Sequence, residues 1–364
     1  MFHPRIRRYF WQVLSFGIIW LFFGLLYISL ELGLLGDSTE YPSTGNKYNF
    51  WNSLIFTGTG SFVVGLLQGW IEVTWFKKLF MHNPFWAKIL FKSGFYLVFV
   101  IVFLAILVLT ANAQLVNTSI LDPVVTDSLS QFMRDWSFWS VVIYSGVILE
   151  IALFYSEAVD YMGSGVIYNY SFGKYHRPVL EERIFMFLDM KSSTSIAETL
   201  GHKMYFNLLK NYYADMTNAI LETSGEIYQY VGDEIVVSWS VKNGLRKNNC
   251  IRCFAKISKR LQQKEDNYIE RFGLVPAFKA GYHIGEVTTG EIGIIKRNII
   301  YTGDVLNTTA RIQAQCNEHN TKILLSKKLA DQLETDNSFS LNKIGEMMLR
   351  GKKEPIQLLS INFS

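Results

Sequence analysis

Charge, cysteine and proline are all scarce in this sequence, and each shortage narrows what the chain can be. Of 364 residues only 18% are charged, while 49% are hydrophobic. That balance excludes a disordered chain and fits poorly with a single water-facing globule. Three cysteines, Cys250, Cys253 and Cys316, exclude a disulfide scaffold and suit a reducing cytosol. Cys250 and Cys253 have neither a second pair nor a histidine partner, so they read as packing residues on one helix face rather than as zinc ligands. No Walker A run is present. The net charge of +4 is too small to argue for nucleic acid as a partner. With seven prolines and 364 residues, the length fits two or three domains.

The scarcity of charge is concentrated in one half. Residues 1–162 hold only 9 of the 35 Lys and Arg and 10 of the 31 Asp and Glu, and eight of the nine Trp lie before residue 140. Four apolar runs stand there: Phe10–Leu30, Phe50–Ile71 and Ser93–Ala111 carry no charge, and Trp136–Ser156 carries only Glu150. Each is long enough to cross a hydrocarbon core of about 30 Å as a helix. The expected architecture is an all-α bundle of four transmembrane helices over residues 1–162 (about 10–32, 50–75, 90–111 and 136–160), a linker over 163–182, and a soluble domain over 183–364. The first run lacks a small-x-small cleavage site and reads as a signal anchor. Arg5, Arg7, Arg8, Lys77, Lys78, Lys88 and Lys92 flank one side of the spans, against Lys47 and Arg134 on the other, so the N-terminus and the soluble half are expected in the cytoplasm.

Within the spans, Ser53, Thr57, Ser61, Gly65 and Gly69 place a small residue at every fourth position and allow close helix approach. Packing inside the bundle is the expectation, with a dimer contact as the alternative. Glu150 sits deep in the fourth run, where a carboxyl needs a partner; Gln68 or Tyr144 is expected to supply a hydrogen bond. Glu72 is expected to pair or hydrate near Lys77 and Lys78. The segment 112–135 reads as a connector, and what the membrane half binds is not legible.

The soluble half begins with Ile184–Leu188, a continuous apolar run that reads as a buried strand ending at Asp189. Tyr205, Leu209, Tyr212, Met216 and Ile220 follow at helical spacing. Two β-rich runs then meet at Gly232–Asp233, a hairpin signal. Ile251, Phe254, Ile257 and Leu261 mark a second helix. Phe278, Ala280, Tyr282 and Ile284 alternate with Lys279, Gly281 and His283, as in a half-buried strand. A further helix opens at Gly303–Asp304, with Asp304 expected as its N-cap. This element order implies an α+β sandwich of the split βαβ type.

Two acids occupy unusual places, Asp189 at a strand end and Asp233 in a hairpin turn. Neighbouring strands would bring both carboxylates to one edge, where they suit Mg²⁺ or Mn²⁺ beside phosphate oxygens. Asn307 and Arg311, four apart, share a helix face; an amide can orient a hydroxyl and a guanidinium can fork onto phosphate.

Taken in order, FLDMKSST, YVGDEIVVSW, GYHIGEVTTGEIG, YTGDVLNTTARI and LRGKKEPI across residues 184–356 resemble the catalytic domain of class III adenylate/guanylate cyclases. The resemblance implies a ferredoxin-like fold and conversion of ATP to 3′,5′-cyclic AMP and pyrophosphate. It implies two divalent cations, Mg²⁺ or Mn²⁺, held by Asp189, Asp233 and the Met190 carbonyl. It also implies that Asn307 orients the ribose, that Arg311 neutralises charge on the α-phosphate, and that Arg350 or Lys352 contacts the terminal phosphates. A homodimer follows from the same resemblance, with the metal acids from one subunit and Asn307 and Arg311 from the other. The match breaks at the base-selecting positions, where Gln229 and Ile300 fit neither the adenine nor the guanine pattern. An amide offers either a carbonyl to an adenine amino group or an NH₂ to guanine O6. The implied protein is a membrane-anchored adenylate cyclase of the bacterial plasma membrane. The alternatives are a guanylate cyclase and a silent receptor with a cyclase-like domain. VGDEI also resembles a diguanylate cyclase signature, but Val231 replaces its first glycine and NTTAR has no counterpart there.

Overall fold

A computed structural model describes residues 4–40, 47–80, 83–162, 169, 173–334, 337–350 and 354–363. The chain divides into two compact units, Ile6–Ile167 and, grouped with the first five residues, Tyr168–Ser364.

The first unit is helical. α1 spans Pro4–Leu35 and α2 spans Phe50–Ile71, continuing through a π-helical turn at Glu72–Phe76 into a last turn at Lys77–Leu79. α3 spans Phe85–Val116, α4 Pro123–Arg134 and α5 Trp136–Met162. Four of these (α1, α2 with its π turn, α3 and α5) are long and apolar enough to cross a membrane. The segment expected as a plain connector carries α4, started by Asp122, whose side chain accepts from the Val124 N–H, and by Pro123 in the first turn.

The small-residue stripe packs inside the bundle. A Cβ on Gly65 would stand 2.7 Å from the Phe16 carbonyl oxygen, and one on Gly69 would stand 2.9 Å from that of Val13, so α1 and α2 meet backbone to backbone there. One expectation fails, and another is met by a different partner. Glu150 faces outward, while Gln68 accepts from the Trp20 indole at 2.6 Å and Tyr144 donates to the Phe23 carbonyl at 2.8 Å. Glu72 is fully buried and is held by Lys92 at 2.5 Å. The same Lys92 ammonium donates to Glu157 at 2.6 Å, so one cation joins carboxylates from α2 and α5. Both partners are distant in sequence, which is why local spacing pointed to Lys77 and Lys78; Lys77 instead pairs with Asp160.

In the second unit, β1 (Val179–Met190) opens within the segment expected as linker. It is followed by α6 (Ser193–Glu222), β2 (Glu226–Val231), β3 (Glu234–Ser240), α7 (Val241–Leu245), α8 (Asn249–Gln262) and α9 (Glu265–Phe272). Then come β4 (Phe278–Ile292), β5 (Asn298–Thr302), α10 (Asp304–Glu318), β6 (Ile323–Ser326), α11 (Lys327–Ala330), β7 (Phe339–Met347) and β8 (Ile356–Phe363). The strands form one sheet ordered β2-β3-β1-β4-β6-β8-β7, with β5 paired to β4. The β2-β3-β1-β4 part is antiparallel throughout, the ferredoxin-like order.

Alternation along β1 explains its continuous apolar run. Ile184, Met186 and Leu188 enter a core with Tyr212, Met216 and Ile220 of α6 and with Ile251, Phe254 and Ile257 of α8. Phe185 and Phe187 enter a second core with Val236, Val287 and Val305, closed by α10. Cys250 and Cys253 are both buried in the first core, as packing residues. β4 is buried on both faces rather than half-buried as expected. The reason lies in Gly281, where a Cβ would stand 2.3 Å from the Gln313 amide nitrogen, so α10 lies directly on the strand. Asp304 is the first residue of α10, not its cap; Gly303 precedes it in extended backbone.

Candidate active site

β1 and β3 run antiparallel with Leu188 opposite Ile235. Asp189, one residue beyond Leu188, therefore emerges beside the start of β3, where Asp233 closes the β2–β3 turn. Gly232 takes φ +63° in that turn, a conformation that disfavours side chains. The Tyr213 hydroxyl of α6 pins the turn by donating to the Gly232 carbonyl at 2.8 Å. The two carboxyls come within hydrogen-bonding reach of one another. Burial, then the hydrogen bond and charge of Asp233, hold the Asp189 carboxyl above the usual carboxylate range against the pull of Lys279. Glu234 is pushed up to about 7 by burial and by the same two aspartates.

Two further side chains close on Asp189. Lys279, buried on β4 and paired in register with Asp189, brings its ammonium to 3.3 Å from Oδ2. Gln313, buried on α10, donates to the same oxygen at 3.0 Å. Sequence reading missed both. The available signal was the glycine two residues after Lys279: a lysine on the same strand face as Gly281, under a helix, has only the sheet edge to reach, and Asp189 stands there.

Asn307 and Arg311 lie on the same helix but point elsewhere. Asn307 is exposed and Arg311 half-buried, and neither makes a hydrogen bond or ion pair with a described residue. At 100° per residue, Arg311 is turned by about 200° from Gln313 and Asn307 by about 120°, so the side of α10 that touches Asp189 is not the side that carries this pair. Gln229 is exposed on edge strand β2, and Ile300 is half-buried on β5 opposite Gly290. Their neighbours Tyr228 and Tyr301 bring tilted rings to 4.8 Å, so side chains from these two strands touch across the sheet face. Arg350 is exposed, and Lys352 lies outside the described residues. The Met190 side chain is buried while its backbone continues the β1 edge beside Asp189.

The donor set fits a divalent cation. Two crowded, partly desolvated carboxylates repel each other when both are charged, and a dication relieves that repulsion. Among the described residues no group of three or more His, Cys, Asp or Glu side chains gathers as a ligand set. The remaining coordination then falls to a backbone carbonyl, water and phosphate oxygens, the pattern Mg²⁺ prefers.

Residues 179–360 match the family described as adenylate and guanylate cyclase catalytic domain. The chain is 31% identical over 222 residues to adenylate cyclase 2 of Rhizobium meliloti, covering 61% of this chain and 61% of that protein. It is 26% identical over 186 residues to an adenylate cyclase of Anabaena cylindrica, covering 48% of this chain and 36% of that protein. The matches thus span about three fifths or less of these relatives' own lengths. The fold is similar to the solved structure of a bacterial light-regulated adenylyl cyclase, with a TM-score of 0.53 and 19% identity over 63% of this chain and 66% of that one. Half of the chain, including the paired aspartates and the NTTAR helix, falls inside the family match, and the chain belongs to the adenylate and guanylate cyclase catalytic-domain family.

Proposed function

We propose that this chain is a membrane-anchored adenylate cyclase whose active site forms between two copies. The observation that carries the reading is the division of α10. Gln313 meets Asp189 within one protomer, while Asn307 and Arg311 project from another side of the helix with no partner among the described residues. A second protomer, related by a two-fold axis, is the means by which that pair reaches a set of acids.

Asp189, Asp233 and the Met190 carbonyl would hold two divalent cations, Mg²⁺ or Mn²⁺. When bound, these supply Lewis-acid stabilisation of the attacking and departing oxygens. The chain's own groups do the rest. Asn307 orients the ribose so that its 3′-oxygen lies in line with the α-phosphorus. Arg311 forks onto the α-phosphate and neutralises charge that grows in the transition state. Lys279 adds a buried positive charge beside the same acids, and Arg350 or Lys352 would contact the terminal phosphates. The new 3′-O–P bond forms as the bond to the β-phosphate bridge breaks, giving cyclic AMP and pyrophosphate, and the 3′-hydroxyl proton leaves to solvent. ATP is preferred over GTP because the curated relatives are adenylate cyclases, with Gln229 meeting the base edge and Ile300 packing beside it.

The four long apolar helices support membrane anchoring of the first unit, and the charge bias supports an orientation with the N-terminus and catalytic half on the cytoplasmic side of a bacterial plasma membrane. The test is purified full-length protein in nanodiscs with ATP or GTP and Mn²⁺. Cyclic AMP from ATP, absent in Asp233→Ala, is expected. Cyclic GMP as the main product would overturn the substrate assignment, and undiminished product from Asp233→Ala would overturn the role of the acids.

A further inference from the structure

Five acidic side chains lie in or at the ends of the four long apolar helices, and four have partners. Glu31 accepts from Ser53, Glu72 and Glu157 hold Lys92, and Asp160 holds Lys77. Glu150 alone makes no hydrogen bond or ion pair with a described residue, and it is exposed near the middle of α5. A carboxyl facing hydrocarbon at mid-span is among the costliest placements in a membrane protein.

The surface around it is ordered. Among the outward positions, which also include Trp139 and Ile151, the residues Trp136, Ser140, Ile143, Val147, Glu150 and Phe154 follow one another in steps of four, three, four, three and four. That is the 3.5-residue period of a coiled-coil seam. It runs for about 27 Å along the helix, close to the thickness of the hydrocarbon core. The opposite side of α5 (Phe138, Val142, Leu149, Leu153) is already buried in the bundle, so the seam is free to pack against another molecule.

We propose that this seam of α5 packs in parallel against the same seam of a second copy, with the two Glu150 carboxyls hydrogen-bonded across the two-fold axis. The occupant follows from symmetry. Copies inserted with one topology run parallel, and in an isologous contact a residue near the axis meets itself. A carboxyl group is self-complementary, because one can donate the proton that the other accepts. A single polar residue in an otherwise apolar seam fixes register. The contact extends the homodimer reading of the catalytic half but stands on α5 alone.

Cysteine cross-linking of the full chain in membranes tests it, against the buried native thiols. Val147→Cys and Phe154→Cys should give disulfide-linked dimers on mild oxidation. Val98→Cys, exposed on α3, should stay monomeric. Glu150→Leu should raise the dimer dissociation constant by about 3- to 10-fold, the usual worth of an interhelical hydrogen bond, while Glu150→Gln, which keeps a donor and an acceptor, should stay near wild type. Cross-linking at Val147 and Phe154 no greater than at Val98, or equal dimerisation in Glu150→Leu and wild type, overturns the interface. Cyclic AMP output measured on the same membranes separates the two readings: loss of activity with cross-links intact strikes the catalytic reading only, and absent cross-links with activity retained strike the seam only.

Discussion

Asp189 shows how one strand end gathers chemistry. Its carboxyl is met by Asp233 across the turn, by Lys279 along the sheet and by Gln313 from the helix above. The two acids were legible in the sequence because each interrupts a β-rich run where burial alone would place an apolar residue. Lys279 and Gln313 were not, since strand alternation assigned Lys279 to a solvent face that α10 in fact covers. At this scale Arg311→Ala should lower kcat by about 10²- to 10³-fold, the range for removing a group that neutralises transition-state charge. KM for ATP should change far less if the contact is made mainly in the transition state, and steady-state kinetics on the full chain separates the two constants. The cysteines give a second prediction. Burial pushes the Cys250 and Cys253 thiols up to about 12 and Cys316 up to about 11. All three stay protonated at pH 7–8, and a thiol is a poor nucleophile. Alkylation followed by mass spectrometry should therefore find the folded chain almost unlabelled and the chain in denaturant labelled at all three sites.

At the scale of elements, one close contact in each half holds its elements in register. α10 rests on β4 through Gly281, and an added methyl would stand 2.3 Å from the Gln313 nitrogen and 2.6 Å from its Cα. Backbone cannot swing aside as a flexible side chain does, so Gly281→Ala should shift the helix and cost about 1–3 kcal/mol. Because α10 also carries Asn307 and Arg311, activity should fall together with the melting temperature, read by cyclic AMP assay and thermal unfolding of the same sample. In the helical unit the corresponding contact is ionic. Lys92, 1% exposed, is shared by Glu72 and Glu157. Lys92→Met would leave Glu72 without its paired cation and Glu157 with only Lys88, at 3.6 Å, and breaking a buried pair from one side costs about 3–5 kcal/mol. A lower unfolding temperature in detergent is the expected result, with Glu72→Gln in the same chain recovering part of the loss. Apolar runs made the helices themselves legible, since length and the absence of charge suffice for a span. The ionic contact was hidden because its partners are 20 and 65 residues away, and only the folded bundle brings them together.

For the whole molecule, the order of motifs along residues 184–356 carried the fold and the family, whereas assembly is a property of two chains and leaves its trace only in unpartnered groups. Asn307 and Arg311 in the catalytic half and Glu150 in the helical half, each without a partner among the described residues, are the groups we propose a second copy meets. Two mutants, each inactive alone, turn this into a measurement. Asp233→Ala removes an acid from its own protomer's contribution, and Arg311→Ala removes the guanidinium. In a heterodimer of the two, one site receives both defects and the other receives neither. Random pairing of equal amounts makes about half the dimers mixed, each with one intact site of two, so activity should return to about a quarter of wild type. If all four side chains acted within a single protomer, every site in every pairing would keep one defect and the mixture would stay silent. Co-expression of the two variants, compared with each alone by cyclic AMP assay, therefore reads directly whether the two sides of α10 serve different active sites.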